Sequence, residues 1–113
     1  MLALYQAEWC PFSSAVREAL TELGVDFVAH QVPAFPEERH ELREVAGTDE
    51  IPVLRTDDGD VYRGTRDIFG YLQTLDPWPY AAAHRQRYYD HAEDREEKTT
   101  EKVLEHFRPR AAA

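Results

Sequence analysis

The first 32 residues restrict the fold most, because they combine two short apolar strands with an amphipathic helix between them. Residues 2–5 are apolar, a helix is predicted from Pro11, and residues 25–32 are rich in Val and Phe. Proline is favoured at the first helical position, and Gly24 marks the predicted end. The apolar positions follow helical spacing, with the charged ones predicted on the solvent side: Val16, Ala19, Leu20 and Leu23, against Arg17, Glu18 and Glu22. A strand–helix–strand unit of this kind predicts a right-handed parallel crossover.

The segment after the second strand predicts a second helix and then a hairpin. Pro33 and Pro36 interrupt the chain, and a helix is expected over residues 36–46 before Gly47. The predicted core contacts of this segment are Leu42, Val45 and Phe35.

A hairpin and a third helix complete the predicted domain. Residues 51–54 form a predicted strand, the Asp-Gly pair at residues 58–59 favours a tight turn, and residues 61–63 form the returning strand. A helix is expected over residues 65–75. The order predicts an α/β fold with a four-stranded mixed sheet and helices on both faces.

Two prolines, Pro77 and Pro79, mark a predicted boundary between residues 1–76 and a C-terminal extension, residues 77–113. Residues 81–107 are highly charged and predict a helix with a thin apolar stripe. Such a stripe needs a docking surface, either on the first domain or on a second copy of the chain. We expect a homodimer, because this region is rich in aromatic residues: Trp78, Tyr80, Tyr88 and Tyr89. The stripe consists of Tyr88, Ala92, Val103 and Phe107.

Charge and composition exclude several classes of partner. The 113 residues carry 22 acidic and 13 basic side chains, a formal net charge of −9. Nucleic acids and anionic membranes attract clustered Lys and Arg, so neither is an expected partner. No apolar stretch is long enough to span a bilayer. One cysteine cannot form an intrachain disulfide, so a cytoplasmic location is expected.

Cys10 lies where the polar turn of residues 6–8 leads into the first helix. The free N–H groups and positive end of a helix stabilise a thiolate, so this position favours a reactive thiol. Ser13, one turn later, can donate a hydrogen bond to the sulfur. The alternative is a buried structural cysteine that behaves as a small apolar residue.

Two further segments are candidates for binding. The Ile51–Pro52 bond precedes a strand, and the residues alone favour an ordinary trans proline there, although a cis bond is the alternative. The Gly64–Asp67 segment begins a helix, whose free N–H groups suit a carboxylate, while Asp67 suits an ammonium group. The simpler interpretation is that Thr65 caps the helix. The five histidines lack metal-ligand spacing, so no metal site is expected.

In order along the chain, these segments resemble a known family. The strand followed by Trp9-Cys10-Pro11-Phe12-Ser13 resembles the active site of glutaredoxins. The segment from Val16 to Val25 resembles the N-terminal domain of glutathione transferases, and residues 42–54 match the segment that leads to the cis-proline of both families. The resemblance covers about residues 2–75 and implies a thioredoxin-like fold.

The resemblance also implies roles for individual residues. Cys10 is implied as the nucleophile, with Ser13 beside it in the catalytic site and Pro11 and Phe12 on the glutathione-binding surface. The Ile51 backbone, preceding a cis Pro52, pairs with the glutathione cysteine. The remaining implied contacts are the backbone of Thr65 and Arg66 for the γ-glutamyl carboxylate, Asp67 for the amine and Arg39 for the glycine carboxylate.

The chain departs from the family pattern at several positions. Ala7 stands where glutaredoxins commonly carry a lysine, and Ser13 replaces a second cysteine, so only a one-thiol mechanism is available. Arg63 replaces the first glycine of a Gly-Gly turn, and Gly64-Thr65 stands where transferases carry an acidic residue and serine.

The resemblance therefore implies a monothiol oxidoreductase that uses glutathione, or an equivalent low-molecular-weight thiol, on protein or small-molecule disulfides. One alternative is glutathione transfer to an electrophile. The other is a non-enzymatic module that binds a thiol or a protein.

Overall fold

The computed structural model describes the backbone of residues 1–97 and the side chains of residues 1–94. Residues 2–72 contain four strands, three α-helices and one 3₁₀ turn, and two further helices follow within the described residues. The elements are β1 (Leu2–Gln6), α1 (Pro11–Leu23), β2 (Phe27–Gln31), the 3₁₀ turn (Pro36–Glu38), α2 (His40–Ala46), β3 (Val53–Arg55), β4 (Val61–Arg63), α3 (Gly64–Leu72), α4 (Ala81–Asp90) and α5 (Ala92–Glu97).

The four strands form one mixed sheet in the order β2-β1-β3-β4. β1 pairs in parallel with β2 and antiparallel with β3, and β3 pairs antiparallel with β4. The predicted parallel pairing of β1 with β2 and the predicted hairpin are confirmed, and so is the thioredoxin-like α/β fold.

Alternation along the two central strands produces two small cores, one on each face of the sheet. Leu4 pairs with Leu54, and both are fully buried in the core that contains α1 and α3 residues. The next pair, Tyr5 and Val53, points to the opposite face and packs with Leu42 of α2. Helices therefore cover both faces, as the sequence predicts.

Two backbone hydrogen bonds around Gly24 end α1. Gly24 adopts φ +70, and its N–H and that of Val25 bond back to carbonyls of the last turn, at 3.1 Å from Thr21 and 3.0 Å from Leu20 respectively. This is a Schellman-type closure, which satisfies carbonyls that the helix end leaves free.

The second predicted helix is interrupted. Residues 36–38 form a 3₁₀ turn, and Arg39, at φ −84 and ψ +57, has a non-helical backbone before α2 begins. Phe35 is 62% exposed, so its prediction as a core residue is wrong. It precedes Pro36 in an extended conformation, as is usual for the residue before a proline. Leu42 is buried as predicted.

Other element bounds differ by a few residues. β2 is shorter than residues 25–32, β3 begins at Val53 rather than at residue 51, and α3 ends at Leu72 rather than at residue 75. β2 is an edge strand, and its residues, Phe27–Gln31, are those that pair with β1.

The chain divides into two compact units, of which the first is Met1–Ala81 and the second begins at Ala82. The predicted single helix is interrupted at His91, between α4 and α5. Val103 and Phe107 lie outside the described residues, and docking of this segment stays a prediction, as does the homodimer. Among the described residues, no helix is both long and apolar enough to cross a membrane.

Trp78 packs against the C-terminal end of α1. Its indole Nε1–H donates to the Glu22 carbonyl at 2.8 Å, and its backbone N–H lies 3.4 Å from the Leu23 carbonyl oxygen. A Cβ atom placed on Gly24 would lie 2.2 Å from the indole ring. Gly24 is therefore required both by its backbone conformation and by the ring that covers it.

Gly24→Ala should destabilise the first unit by about 2–4 kcal/mol, since it adds left-handed strain and overlap with the Trp78 ring. Gly47→Ala is the matched control: Gly47 has φ +68, and a Cβ placed on it would have no neighbour within 4 Å among the described residues. That variant should lose only about 1–2 kcal/mol. Urea unfolding of both variants measures the difference, and equal losses would contradict a role for Trp78.

Candidate active site

Cys10 is the N-cap residue of α1. Its backbone is extended, at φ −80 and ψ +119, and the first helical residue is Pro11. The Cys10 sulfur accepts a hydrogen bond from the Ser13 backbone N–H at 3.5 Å. The sulfur therefore takes the position of the side-chain oxygen in an ordinary helix cap.

The Ser13 hydroxyl is fixed beside the sulfur. Ser13 is fully buried, and its Oγ accepts the Ala7 backbone N–H at 3.5 Å. Because that N–H uses an oxygen lone pair, the hydroxyl proton is free to donate to Cys10. The Ala7 carbonyl in turn accepts the Cys10 backbone N–H at 3.1 Å.

These contacts change the acidity of the thiol. Burial alone would raise the pKa of Cys10, which is 5% exposed. Hydrogen bonds from the Ser13 hydroxyl and from the backbone of Ser13 and Phe12, together with the positive charge of Arg17, outweigh burial and lower the pKa below its ordinary value. The geometry therefore favours a thiolate.

Cys10 opens onto a cleft of about 670 Å³. The cleft brings together residues that are far apart in the sequence: Trp9, Cys10, Pro11, Phe12, Ala34, Pro36, Arg39, Glu50, Ile51, Pro52, Gly64 and Thr65. Four separate segments, around residues 10, 36, 51 and 64, thus meet at one surface. Trp9 and Phe12 are 65% and 61% exposed at this surface.

The Ile51–Pro52 peptide bond is cis, as the family resemblance implies, whereas the residues alone favour a trans bond. Pro52 is buried, and its carbonyl accepts the Gly64 N–H at 3.0 Å. This bond ties the cis-proline segment to the start of α3.

The start of α3 has no side-chain cap. Its N-cap residue is Arg63, and Thr65 lies inside the first turn, so the interpretation of Thr65 as the capping residue is wrong. Thr65 lines the cleft, whereas Arg66 and Asp67 are exposed on α3 outside that lining.

Arg39 is the buried cation of this region, at 5% exposure. Its guanidinium donates to the carbonyls of Pro33 at 2.8 Å, Ala34 at 3.0 Å and Asp49 at 2.9 Å. The side chain thus joins the loop before α2 to the loop after it. The sequence indicates Arg39 only as a ligand contact, because this structural role depends on two loops meeting in space.

Sequence reasoning also missed Gln6 and Arg17. The sequence predicts Gln6 in a polar turn, but this residue ends β1 and is fully buried. Arg17 is predicted on the solvent side, yet its guanidinium folds back onto Gln6, Ala7 and Glu8. The spacing of apolar residues could not predict these contacts. It shows which positions are polar, but not which polar side chains bond to other parts of the chain. In the part of the chain that the structure describes, no group of three or more His, Cys, Asp or Glu side chains is arranged to hold a metal.

Comparison with known proteins assigns the class. The family model of the glutathione S-transferase N-terminal domain matches residues 4–80. The chain therefore belongs to this family. No match was found among curated protein sequences.

Solved structures agree with this assignment. A glutathione S-transferase from Sinorhizobium meliloti is 27% identical with a TM-score of 0.59, over 66% of this chain and 32% of that one. One from Methylobacillus flagellatus with GSH bound is 27% identical with a TM-score of 0.59, over 68% and 38%. Glutaredoxin 2 from Salmonella typhimurium in complex with glutathione is 19% identical with a TM-score of 0.57, over 64% and 32%, and shows the shared fold. The chain thus matches about a third of each of these proteins.

Ser13→Ala should raise the pKa of Cys10, because it removes the hydroxyl bond that stabilises the thiolate. At neutral pH the rate of iodoacetamide labelling should fall several-fold, while the rate at high pH stays the same. Ser14→Ala, at the exposed neighbouring position, is the matched control and should leave the pH profile unchanged. Identical profiles for the two variants would argue against the Ser13 contact.

Arg39→Met should destabilise the domain by about 2–4 kcal/mol, since the change removes a buried charged donor that bonds to three partly buried carbonyls. Arg43→Met is the matched control, because Arg43 also donates to two carbonyls, of Pro36 and Glu37, but at an exposed site. The control should lose less than about 1 kcal/mol. If Arg39→Met retains full stability in urea unfolding, the role of Arg39 in joining the loops is wrong.

Proposed function

We propose that this domain binds glutathione or an equivalent low-molecular-weight thiol, and that Cys10 exchanges disulfides with it by a one-thiol mechanism. The observation that carries the proposal is the position of Cys10: its sulfur caps α1, accepts the Ser13 N–H and opens onto the cleft. A reducing compartment such as the cytoplasm is the proposed setting.

The arrangement of the cleft suits a γ-glutamyl thiol. The proposed pose pairs the thiol's peptide backbone with that of Ile51, beside Cys10. The N–H groups of Thr65 and Arg66, in a helix turn without a side-chain cap, suit its carboxylate, and Asp67 suits its amine.

The other end of the ligand is assigned to Arg39. A guanidinium carries five N–H donors, and the three bonds to carbonyls leave donors for the glycine carboxylate. The same side chain would then join the two loops and bind the ligand.

The proposed reaction has two exchange steps. The Cys10 thiolate attacks the glutathione sulfur of a mixed disulfide, a new S–S bond forms, and the substrate thiolate leaves and takes up a proton. A second glutathione thiolate then attacks the glutathione sulfur bound to Cys10. This step releases oxidised glutathione and restores the Cys10 thiolate, so no second cysteine is required.

Transfer of glutathione to an electrophile is the second candidate, favoured by the relatives named glutathione S-transferases. The chain matches 32% and 38% of those two proteins. Conjugation needs a pocket for the electrophile as well as for the thiol. The described cleft offers the exposed rings of Trp9 and Phe12 as an apolar surface for it.

Turnover of a glutathione mixed disulfide should exceed the uncatalysed rate for the natural chain and fall to that rate for Cys10→Ser. The serine hydroxyl is not ionised at neutral pH, so it cannot replace the thiolate. A coupled assay that follows oxidised glutathione measures this turnover. Conjugation of glutathione to an activated aryl chloride is followed in parallel.

The two assays separate the candidates. Conjugation without disulfide turnover would favour the transferase. Glutathione binding in calorimetry without either reaction would favour a non-enzymatic module. Absence of binding would contradict the proposed function altogether.

A further inference from the structure

The turn that precedes Cys10 is held by Arg17, a residue that makes no direct contact with the ligand in the proposed exchange reaction. Arg17 lies in the second turn of α1, and its side chain is 21% exposed. Its guanidinium donates to the Gln6 side-chain oxygen, lies 3.5 Å from the Ala7 carbonyl oxygen and forms an ion pair with Glu8 at 3.0 Å. One side chain therefore contacts three consecutive residues of the turn.

The Gln6 side of this contact is buried, whereas Arg17 is partly exposed. Gln6 is fully buried at the end of β1, and its amide nitrogen donates to Gln31 of β2 at 3.0 Å. It also lies 3.3 Å from a Glu8 carboxylate oxygen. Because an unpaired buried acceptor costs about 1–3 kcal/mol, the Gln6 oxygen needs the donor that Arg17 supplies.

Ala7 connects this arrangement to the thiol. Its carbonyl, which Arg17 approaches, also accepts the Cys10 backbone N–H at 3.1 Å. Its N–H donates to the Ser13 hydroxyl oxygen. The orientation of one short segment therefore determines both the start of the Cys10 backbone and the direction of the Ser13 hydroxyl.

We propose that Arg17 is a positioning residue for the Cys10 site: its guanidinium fixes the turn of residues 6–8 and supplies positive charge to the thiolate. Residues 6–8 include no basic side chain. Arg17 brings a cation to this turn from the helix that follows. The role is independent of whether the reaction is disulfide exchange or conjugation.

The charges around Cys10 agree with this role. Glu8, at 66% exposure, opposes Arg17 from solvent, while Arg39 and Glu50 line the cleft from two other loops. Arg39 is engaged by carbonyls. Of Arg17, Glu8, Arg39 and Glu50, Arg17 is the residue whose charge contributes to the lowered pKa of Cys10.

The test is the pH profile of Cys10 alkylation by iodoacetamide in the full chain. Arg17→Gln should raise the midpoint of the profile and slow labelling at neutral pH roughly three- to tenfold, as expected for loss of one partly solvated charge. The labelling rate at high pH should stay the same. Arg17→Lys retains the charge but not the planar set of donors, so its midpoint should lie between the two.

Two further variants complete the design. Arg55→Gln removes the same charge at the other end of β1, where Arg55 pairs with Ala3, and should leave the midpoint unchanged. Glu8→Gln removes the opposing charge and should lower the midpoint.

A merely structural role for Arg17 would lower the melting temperature without moving the midpoint, and that result overturns the proposal. If Arg17→Gln does not fold, Arg17→Lys and Glu8→Gln test the proposal instead. Unchanged midpoints in both Arg17→Lys and Glu8→Gln overturn the proposal, and midpoints shifted in opposite directions support it.

Discussion

The pairing of β1 along both of its edges is the constraint on which the rest of the first unit depends. Parallel pairing with β2 and antiparallel pairing with β3 place successive residues in opposite cores, Leu4 on one face and Tyr5 on the other. The register that pairs Tyr5 with Val53 also sets Pro52 beside the end of β1. The chain leaves β1 there and reaches Cys10, so the sheet itself brings the thiol and the cis-proline to one cleft.

Polar contacts among β1, β2 and α1 support the site. Gln6, at the end of β1, is buried between the strand β2 and the helix α1, and Arg17 bonds to it from α1. In the part of the chain that the structure describes, no buried side-chain nitrogen or oxygen lacks a partner. A satisfied polar group of this kind fixes one geometry, because any other would leave a donor or acceptor unpaired.

Around the thiol, opposing effects act on one sulfur atom. Burial opposes ionisation of Cys10, and the hydrogen bonds of the first helical turn favour it. The net effect is a pKa below the ordinary value, because the donors belong to the helix that Cys10 caps and are already oriented when the fold forms. A more acidic thiol and a stable helix start are therefore one structural feature.

The sequence by itself determined the order of elements, the helix start at Pro11 and, through a family resemblance, the segments around residues 10, 51 and 64 that meet in the cleft. These features depend on local signals: apolar spacing, proline and glycine positions, and a short motif around Cys10. Tertiary structure alone decided that Arg39 joins two loops and that Gln6 and Arg17 support the site. Long polar side chains carry no periodic signal, and their partners are backbone and amide groups that only folding brings within hydrogen-bond distance.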